Sequence, residues 1–167
     1  MAIFQIPAAA TSSVPNWTLL STNTPSGVST ITFSGLSGYS KYRIMAPNLV
    51  LTGGAYVYLR CNGDVGTNYS FNRKSFVNPV GSNVLAAQNQ VNFNYAVVSS
   101  FGPLVIDIDN ALLLAPKKIT ANFGEITGYA VNDIDAQYQT TSLLTSLTLL
   151  LSASAYSTGS IYLFGAN

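Results

Sequence analysis

The sequence predicts an all-β protein, an antiparallel β-sandwich or jelly roll of about nine or ten strands behind an N-terminal arm. Short segments alternate apolar and polar residues with the period of a pleated strand, and turn residues separate them at hairpin spacing. No segment carries the apolar stripe of an amphipathic helix. Hydrophobic residues make up 48% of the chain and charged residues only 8%, which favours an ordered core over disorder.

The chain of 167 residues suits one domain. Residues 1–16 are predicted to form an arm, because they combine Pro7 and Pro15 with alanines and serines and show little periodicity. The sandwich is predicted over residues 17–167. The first residues lack the basic start and long apolar core of a signal peptide, and the apolar runs are too short to span a bilayer. We therefore expect the chain to be made and assembled in a cytoplasm.

Period-two alternation places the strands in order along the chain. Pro47 predicts an edge or a bulge within the third strand. Loops are expected at residues 72–90, 132–139 and 154–159, where Gly, Asn, Ser or other polar residues interrupt the alternation. Strands are expected at residues 17–21, 29–34, 39–51, 56–61, 91–98, 104–108, 117–123, 124–129 (in part a turn), 143–152 and 161–164.

One stretch, residues 58–71, is the most particular about residue order. A strand ends at Asn62-Gly63, the pair that best accepts two positive φ angles and predicts a hairpin corner. Asp64 is expected to bond the backbone of the turn, and Gly66 offers a second permissive position. The predicted structural turn therefore comprises Asn62, Gly63, Asp64, Gly66, Asn68 and Tyr69. A binding loop is the alternative, but turn chemistry alone accounts for every residue.

Enzymatic chemistry has few residues available. Histidine is absent, which excludes histidine-based triads and metal sites, and there are six acidic residues. Asp107/Asp109 and Asp133/Asp135 form i, i+2 pairs that suit either a calcium ion or an ordinary polar strand end, and we favour the latter. Cys61, the one cysteine, fits the strand pattern as a small core residue. We predict no enzyme, no catalytic residue, no metal and no cofactor.

The low charge of the surface predicts that the chain associates with other copies of itself. A net charge of +1 provides no electrostatic basis for binding nucleic acid or a membrane. A surface with so few charges would be poorly soluble if fully exposed, so burial against other chains is expected. A homo-oligomer follows, with a trimer as the expected closed form. The arm is expected to take part in assembly through Ile3, Phe4, Ile6 and Val14.

Several motifs resemble a family of tailed-bacteriophage virion proteins, over about residues 28–167. That family has an ITFSGI…Y strand, an RFNGDTGANY turn and a GS-x-x-x-LYG C-terminus in the same order. Cys61 stands where the family usually has an aromatic, and Phe164 where it usually has tyrosine. The matching stretches here are Ile31-Thr32-Phe33-Ser34-Gly35-Leu36, Tyr39, Tyr42-Arg43-Ile44, Leu59-Arg60-Cys61-Asn62-Gly63-Asp64, Gly66, Asn68-Tyr69 and Gly159-Ser160-Ile161-Tyr162-Leu163-Phe164-Gly165.

The resemblance implies a β-sandwich structural module of a virion, assembled in the host cytoplasm. Family members are free-standing head or tail proteins and tail-fibre domains. Because the chain has no long fibre-forming stalk, the expected function is a capsid decoration (cement) protein on the particle exterior, bound to the major capsid or other virion proteins. The alternative is a tail or tail-fibre module that binds a receptor, including a carbohydrate. A depolymerase is the third and least favoured hypothesis.

Overall fold

The computed structural model describes residues 15–75, 81–93, 100–125 and 131–167. These residues form fourteen β-strands and no helix, which confirms the all-β prediction. The strands are β1 (Thr18–Asn23), β2 (Thr30–Ser34), β3 (Lys41–Ala46), β4 (Leu49–Leu51), β5 (Val57–Cys61), β6 (Tyr69–Ser75), β7 (Gly81–Gln88), β8 (Val91–Asn92), β9 (Ser100–Asp109), β10 (Lys117–Glu125), β11 (Val131–Tyr138), β12 (Ser146–Leu151), β13 (Tyr156–Gly159) and β14 (Ile161–Ala166).

The strands belong to two antiparallel sheets. The larger sheet has ten strands in the order β1-β14-β3-β9-β10-β11-β6-β7, with β4 pairing both β9 and β13. The smaller sheet has four strands in the order β2-β12-β5-β8. Two antiparallel sheets around one core are a β-sandwich, as predicted. This strand order does not single out the jelly roll, which stays a prediction.

Alternate side chains from both sheets meet in one hydrophobic core. Ile44, Ile106 and Ile119 of the larger sheet and Leu59 and Leu149 of the smaller sheet are all fully buried. On β3, buried and partly exposed residues alternate strictly. Such alternation is the expected consequence of one face packing on a core while the other meets solvent.

Three segments predicted as loops contain strands instead. Residues 72–90 hold the end of β6 and all of β7, residues 132–139 hold most of β11, and residues 154–159 hold β13. The inward positions of β11 include Asn132 and Ala136, so its apolar alternation is weak although both residues are buried. β7 is the last strand of the larger sheet. Its Val84 is 78% exposed and its Leu85 packs only partly buried against the core, so its apolar alternation is weak.

The predicted long strand over residues 39–51 is interrupted at Pro47. Its two halves, β3 and β4, both pair with β9, which carries Leu104 opposite Ala46 and Phe101 opposite Leu49. The ladder stops at a proline, which has no N–H to donate, but three residues separate the pairs on each strand, so the register is kept and the predicted bulge is not seen. The predicted strand over residues 91–98 is described only in part, as β8. Of the predicted turn and short strand over residues 124–129, residues 126–129 lie outside the described residues.

Candidate functional site

The Asn62-Gly63 turn has the backbone geometry that its sequence predicts. Asn62 has a φ of 56° and Gly63 a φ of 65°, the two positive values that this pair accepts most easily. The Asp64 N–H donates to the Cys61 carbonyl oxygen at 3.0 Å and closes the turn. The predicted positive φ values are confirmed.

The predicted hairpin is wrong, because the two flanking strands lie in different sheets. β5 belongs to the smaller sheet and β6 to the larger, so the turn carries the chain across the sandwich. Tyr69, the first residue of β6, accounts for this difference. Its hydroxyl accepts from the Cys61 N–H at 2.9 Å and lies 3.2 Å from the Cys61 carbonyl oxygen. A side chain therefore satisfies the backbone groups that a paired β6 would have used.

The Asn62 side chain joins the turn to the segment before β12. Its carbonyl oxygen accepts from the Thr145 N–H at 2.8 Å and the Ser146 N–H at 3.2 Å. Its amide donates to the Leu143 carbonyl oxygen at 2.8 Å. Asn62 therefore links the turn to residues 143–146, and its side-chain oxygen and nitrogen are hydrogen-bonded within the protein.

The remaining polar residues of the turn bond one another. The Asp64 carboxylate accepts from the Gly66 N–H at 2.7 Å and from the Asn68 amide at 2.8 Å. These two bonds, first that of Asn68, hold the pKa of the Asp64 carboxyl below its usual value. The predicted acceptance of a backbone N–H by Asp64 is confirmed. The backbone carbonyl oxygen of Asn68 accepts from the Gln139 N–H at 2.8 Å, which joins the turn to the end of β11.

Tyr69 and Cys61 lie at the inner side of the turn and are fully buried. The Tyr69 ring stacks on Tyr138 with ring centroids 4.9 Å apart. Burial raises the pKa of the Tyr69 phenol and raises the pKa of the Cys61 thiol to about 12. Cys61 therefore stays protonated and unreactive near neutral pH, as its core position predicts.

A second feature at the same end of the sandwich is the β9–β10 loop, residues 110–116, which we call the leucine loop. Leu112, Leu113 and Leu114 are exposed by 40%, 53% and 75%. The loop is tied to the turn region because the Leu144 N–H donates to the Ala111 carbonyl oxygen at 3.0 Å. Sequence reasoning did not single out this loop, because a run of apolar residues ordinarily indicates burial.

Lys117 holds the leucine loop from within. The residue is fully buried at the start of β10, and its ammonium donates to the carbonyl oxygens of Leu113 at 2.7 Å and Ala115 at 2.5 Å. Burial lowers the pKa of the ammonium. A signal for this position existed in the sequence, because Lys117 shares the inward alternation of Ile119, Ala121 and Phe123.

The four carboxylates that form i, i+2 pairs all lie on the outward face of the larger sheet. Asp107 accepts two bonds from Arg43, at 2.6 and 2.8 Å, and Asp109 pairs with Lys41 at 3.1 Å. Asp133 accepts from the Asn122 amide at 2.6 Å, and Asp135 lies opposite Thr120. Asp107, Asp133 and Asp135 line a shallow polar depression of about 330 Å³, together with Asn72, Lys74, Thr120 and Asn122.

The carboxylates of this outer face are engaged by neighbouring polar and charged side chains. Among the described residues, no group of three or more His, Cys, Asp or Glu side chains is placed to hold a metal ion. Asp107, the carboxylate nearest the sheet centre, is engaged by Arg43 in a bidentate pair. The described part of the chain also has no helix long and apolar enough to cross a membrane. The predicted assembly residues Ile3, Phe4, Ile6 and Val14 lie outside the described residues.

Comparisons with known proteins give no significant match. No protein-family model matches the sequence, no curated protein matches it significantly, and no solved structure matches the fold significantly.

Proposed function

We propose that this chain is a non-enzymatic structural protein of a tailed-bacteriophage virion, a capsid decoration (cement) protein on the particle exterior. It works as a homo-oligomer, with a trimer as the expected form. It binds the major capsid protein or another virion protein. Its place of action is the virion, after assembly in the host cytoplasm.

The observation that carries the proposal is the internal use of the turn residues. Asn62, Asp64, Asn68 and Tyr69 direct their polar atoms to the backbone or to one another. These residues also belong to the motif that resembles phage virion proteins. A motif whose hydrogen-bonding groups are engaged within the fold supports an architectural role, because a ligand-binding loop needs polar groups that are free to bond its ligand. The apolar side chains exposed beside it support assembly with protein.

The decisive experiment is to locate the chain in the virion by electron cryomicroscopy. Copies arranged with the symmetry of the head support a cement protein, and copies confined to the tail tip support adhesion. A second measurement uses a variant without residues 1–14. We expect its circular dichroism to remain that of a β-sandwich and its loading onto particles to fall. Loading equal to that of the full chain would mean that the anchor lies on the sandwich itself.

A receptor- or carbohydrate-binding tail module is the second candidate, and the polar depression favours it. Carboxylate, amide, hydroxyl and ammonium groups of Asp135, Asn72, Thr120 and Lys74 line one concave surface. Such a mixture suits a polyhydroxylated ligand. Calorimetric titration with host surface glycans tests this function, with Asp135→Ala as the binding variant and Val28→Ala as the control. Saturable heat that only Asp135→Ala abolishes would replace the cement proposal.

Enzymatic cleavage of such glycans is the third hypothesis and the least favoured. We expect no reducing sugar to be released from host capsule or lipopolysaccharide by the purified chain. Release of sugar would refute a purely structural role and would direct mutagenesis first to Asp107, Asp109, Asp133 and Asp135.

A further inference from the structure

We infer that the leucine loop is the docking surface for residues 1–14 of a second copy of this chain. The inference rests on the proposed homo-oligomer and names its contact. Two copies exchange their arms, and the apolar side chains of each arm cover the leucines of its neighbour.

The surface is apolar, exposed and rigid. Leu113 and Leu114 are 53% and 75% exposed, and Leu143 on the adjoining segment is 46% exposed. The hydrogen bond from the Leu144 N–H to the Ala111 carbonyl oxygen, at 3.0 Å, joins the two segments side by side. Neighbouring leucines exposed together are typical of a protein interaction site.

The loop is held in one shape before any partner arrives. The Lys117 ammonium, fully buried, holds two of its carbonyl oxygens. The Leu113 N–H donates to the Asn110 carbonyl oxygen at 3.0 Å, and the Ala111 N–H donates to the Ser40 carbonyl oxygen at 2.9 Å. Burying a charged amine is unfavourable, so its use here indicates that the shape of the loop matters. A preorganised surface binds with a smaller entropic cost.

The arm leaves the sandwich at the end where the leucine loop lies. Thr18 of β1 pairs with Gly165 of β14, whose neighbour Ala166 pairs with Lys41 of β3. Lys41 in turn meets Asp109, the last residue before the loop. β14 and β3 lie between β1 and β9, so about 14 Å separates the start of β1 from the leucine loop of its own chain.

The arm has the chemistry and the length to reach a neighbour. Residues 1–14 contain no charged side chain, and Ile3, Phe4 and Ile6 are clustered in them. Residues 1–14 contain no glycine, and Ile6 and Val14, each followed by a proline, favour extended backbone. An extended chain from Trp17 to Phe4 spans about 43 Å. The arm is therefore long enough to reach a leucine loop on its own chain or on a neighbour, and the proposed homo-oligomer makes the neighbour the acceptor.

Disulfide trapping between copies tests the docking directly. Cys61 is buried and has a raised thiol pKa, so it stays out of the exchange. Phe4→Cys chains are mixed with Leu114→Cys chains and oxidised gently, and linked dimers are measured on non-reducing gels. Val28→Cys provides the control, because Val28 is also exposed, by 42%, but lies just before β2, at the end of the smaller sheet opposite the leucine loop.

We expect linked dimers from the Phe4→Cys and Leu114→Cys mixture, at least about fivefold more than from the Phe4→Cys and Val28→Cys mixture. Equal yields in both mixtures, or no linkage in either, would overturn the inference. The doubly substituted chain separates the remaining case. If it closes on itself as a monomer while the mixture gives no dimer, the arm covers its own loop and the exchange is refuted.

Sedimentation of the full chain separates this inference from the proposed function. We expect Leu114→Asp to raise the dissociation constant for self-association by about tenfold or more, and Val28→Asp to leave it unchanged. If both variants associate like the unaltered chain, only the inference fails. If the unaltered chain is monomeric and does not load onto particles, the proposed oligomeric function fails as well.

Discussion

At the corner of the turn, Gly63 holds a φ of 65°, and a Cβ there would meet no atom within 4 Å. The requirement for glycine is therefore conformational rather than steric. We expect Gly63→Val to lower the free energy of unfolding by about 1–3 kcal/mol, because a β-branched residue is strained at positive φ. Gly63→Asn is the control, since asparagine tolerates this region. Equal stability of the two variants in urea unfolding would show that the turn does not need a left-handed residue.

Two buried tyrosines provide a second matched pair. The Tyr69 hydroxyl satisfies the Cys61 N–H at 2.9 Å, whereas the Tyr156 hydroxyl has no partner among the described residues. We expect Tyr69→Phe to lower the free energy of unfolding by about 1–3 kcal/mol, because it leaves a buried N–H unpaired. Tyr156→Phe should be neutral or stabilising, because it removes an unpaired hydroxyl. Thermal unfolding of both variants checks this, and a larger loss for Tyr156→Phe would contradict it.

The buried Cys61 thiol predicts a loss of stability in alkali. Its pKa is about 12 in the folded chain and about 8.5–9 when unfolded. Above the unfolded value, the unfolded state binds fewer protons than the native state. The free energy of unfolding therefore falls by about 1.4 kcal/mol per pH unit. Below the unfolded value the contribution of the thiol is complete.

Urea unfolding at pH 8 and pH 10 measures this effect, and the tyrosines, which also titrate in this range, are the same in the unaltered chain and in a Cys61→Ala control. We expect the unaltered chain to lose about 1.4–1.9 kcal/mol more than Cys61→Ala over this interval. The comparison uses the change with pH and not the absolute stability, which the smaller side chain also alters. Parallel losses in the two proteins would mean that the thiol titrates normally and is not sequestered.

Among the elements, the leucine loop and β10 are linked through Lys117. Replacing Lys117 by methionine keeps much of its volume but leaves the carbonyl oxygens of Leu113 and Ala115 without their donor. We expect amide hydrogen exchange in residues 111–115 to speed up by about tenfold, while the central strands stay protected. Lys118→Met is the control, because Lys118 is the exposed neighbour. Equal exchange in the two variants would show that the loop keeps its shape without the ammonium.

The elements also show how far sequence reasoning reaches. Strands with strong apolar patterns, such as β2 and β12, lie close to their predicted positions, because one buried face imposes the pattern. β11 was missed because its inward positions include Asn132 and Ala136, which contribute little hydrophobicity although both are buried. β7 was missed because it is an edge strand. Local periodicity reports burial, so it fails where burial is polar or absent.

The site shows the same division between local and long-range information. The positive φ values of Asn62 and Gly63 followed from the pair itself, since turn geometry is local. The crossing between sheets could not be predicted from this pair, because it depends on the Tyr69 hydroxyl reaching Cys61, eight positions earlier in sequence. The exposure of Leu112–Leu114 was also hidden. It is produced by hydrogen bonds to Ser40, Leu144 and the side chain of Lys117, which only the folded arrangement brings together.

For the whole molecule, the distribution of charge bears on how copies associate. The net charge is +1, and the larger sheet already pairs Arg43 with Asp107 and Lys41 with Asp109 within one chain. Few charges therefore remain for contacts between copies. The exposed leucines, in contrast, need no counter-charge and gain free energy by leaving water.

Self-association of the full chain should consequently be insensitive to salt. We expect the dissociation constant to change by less than about threefold between about 50 mM and 500 mM NaCl, because screening acts on charges and not on apolar contacts. The binding heat capacity should be negative, as apolar burial requires. Sedimentation velocity and calorimetry measure the two quantities. Weakening by about tenfold in high salt would move the interface to the charged outer face, and Lys74, Asp133 and Asp135 would then be the residues to test.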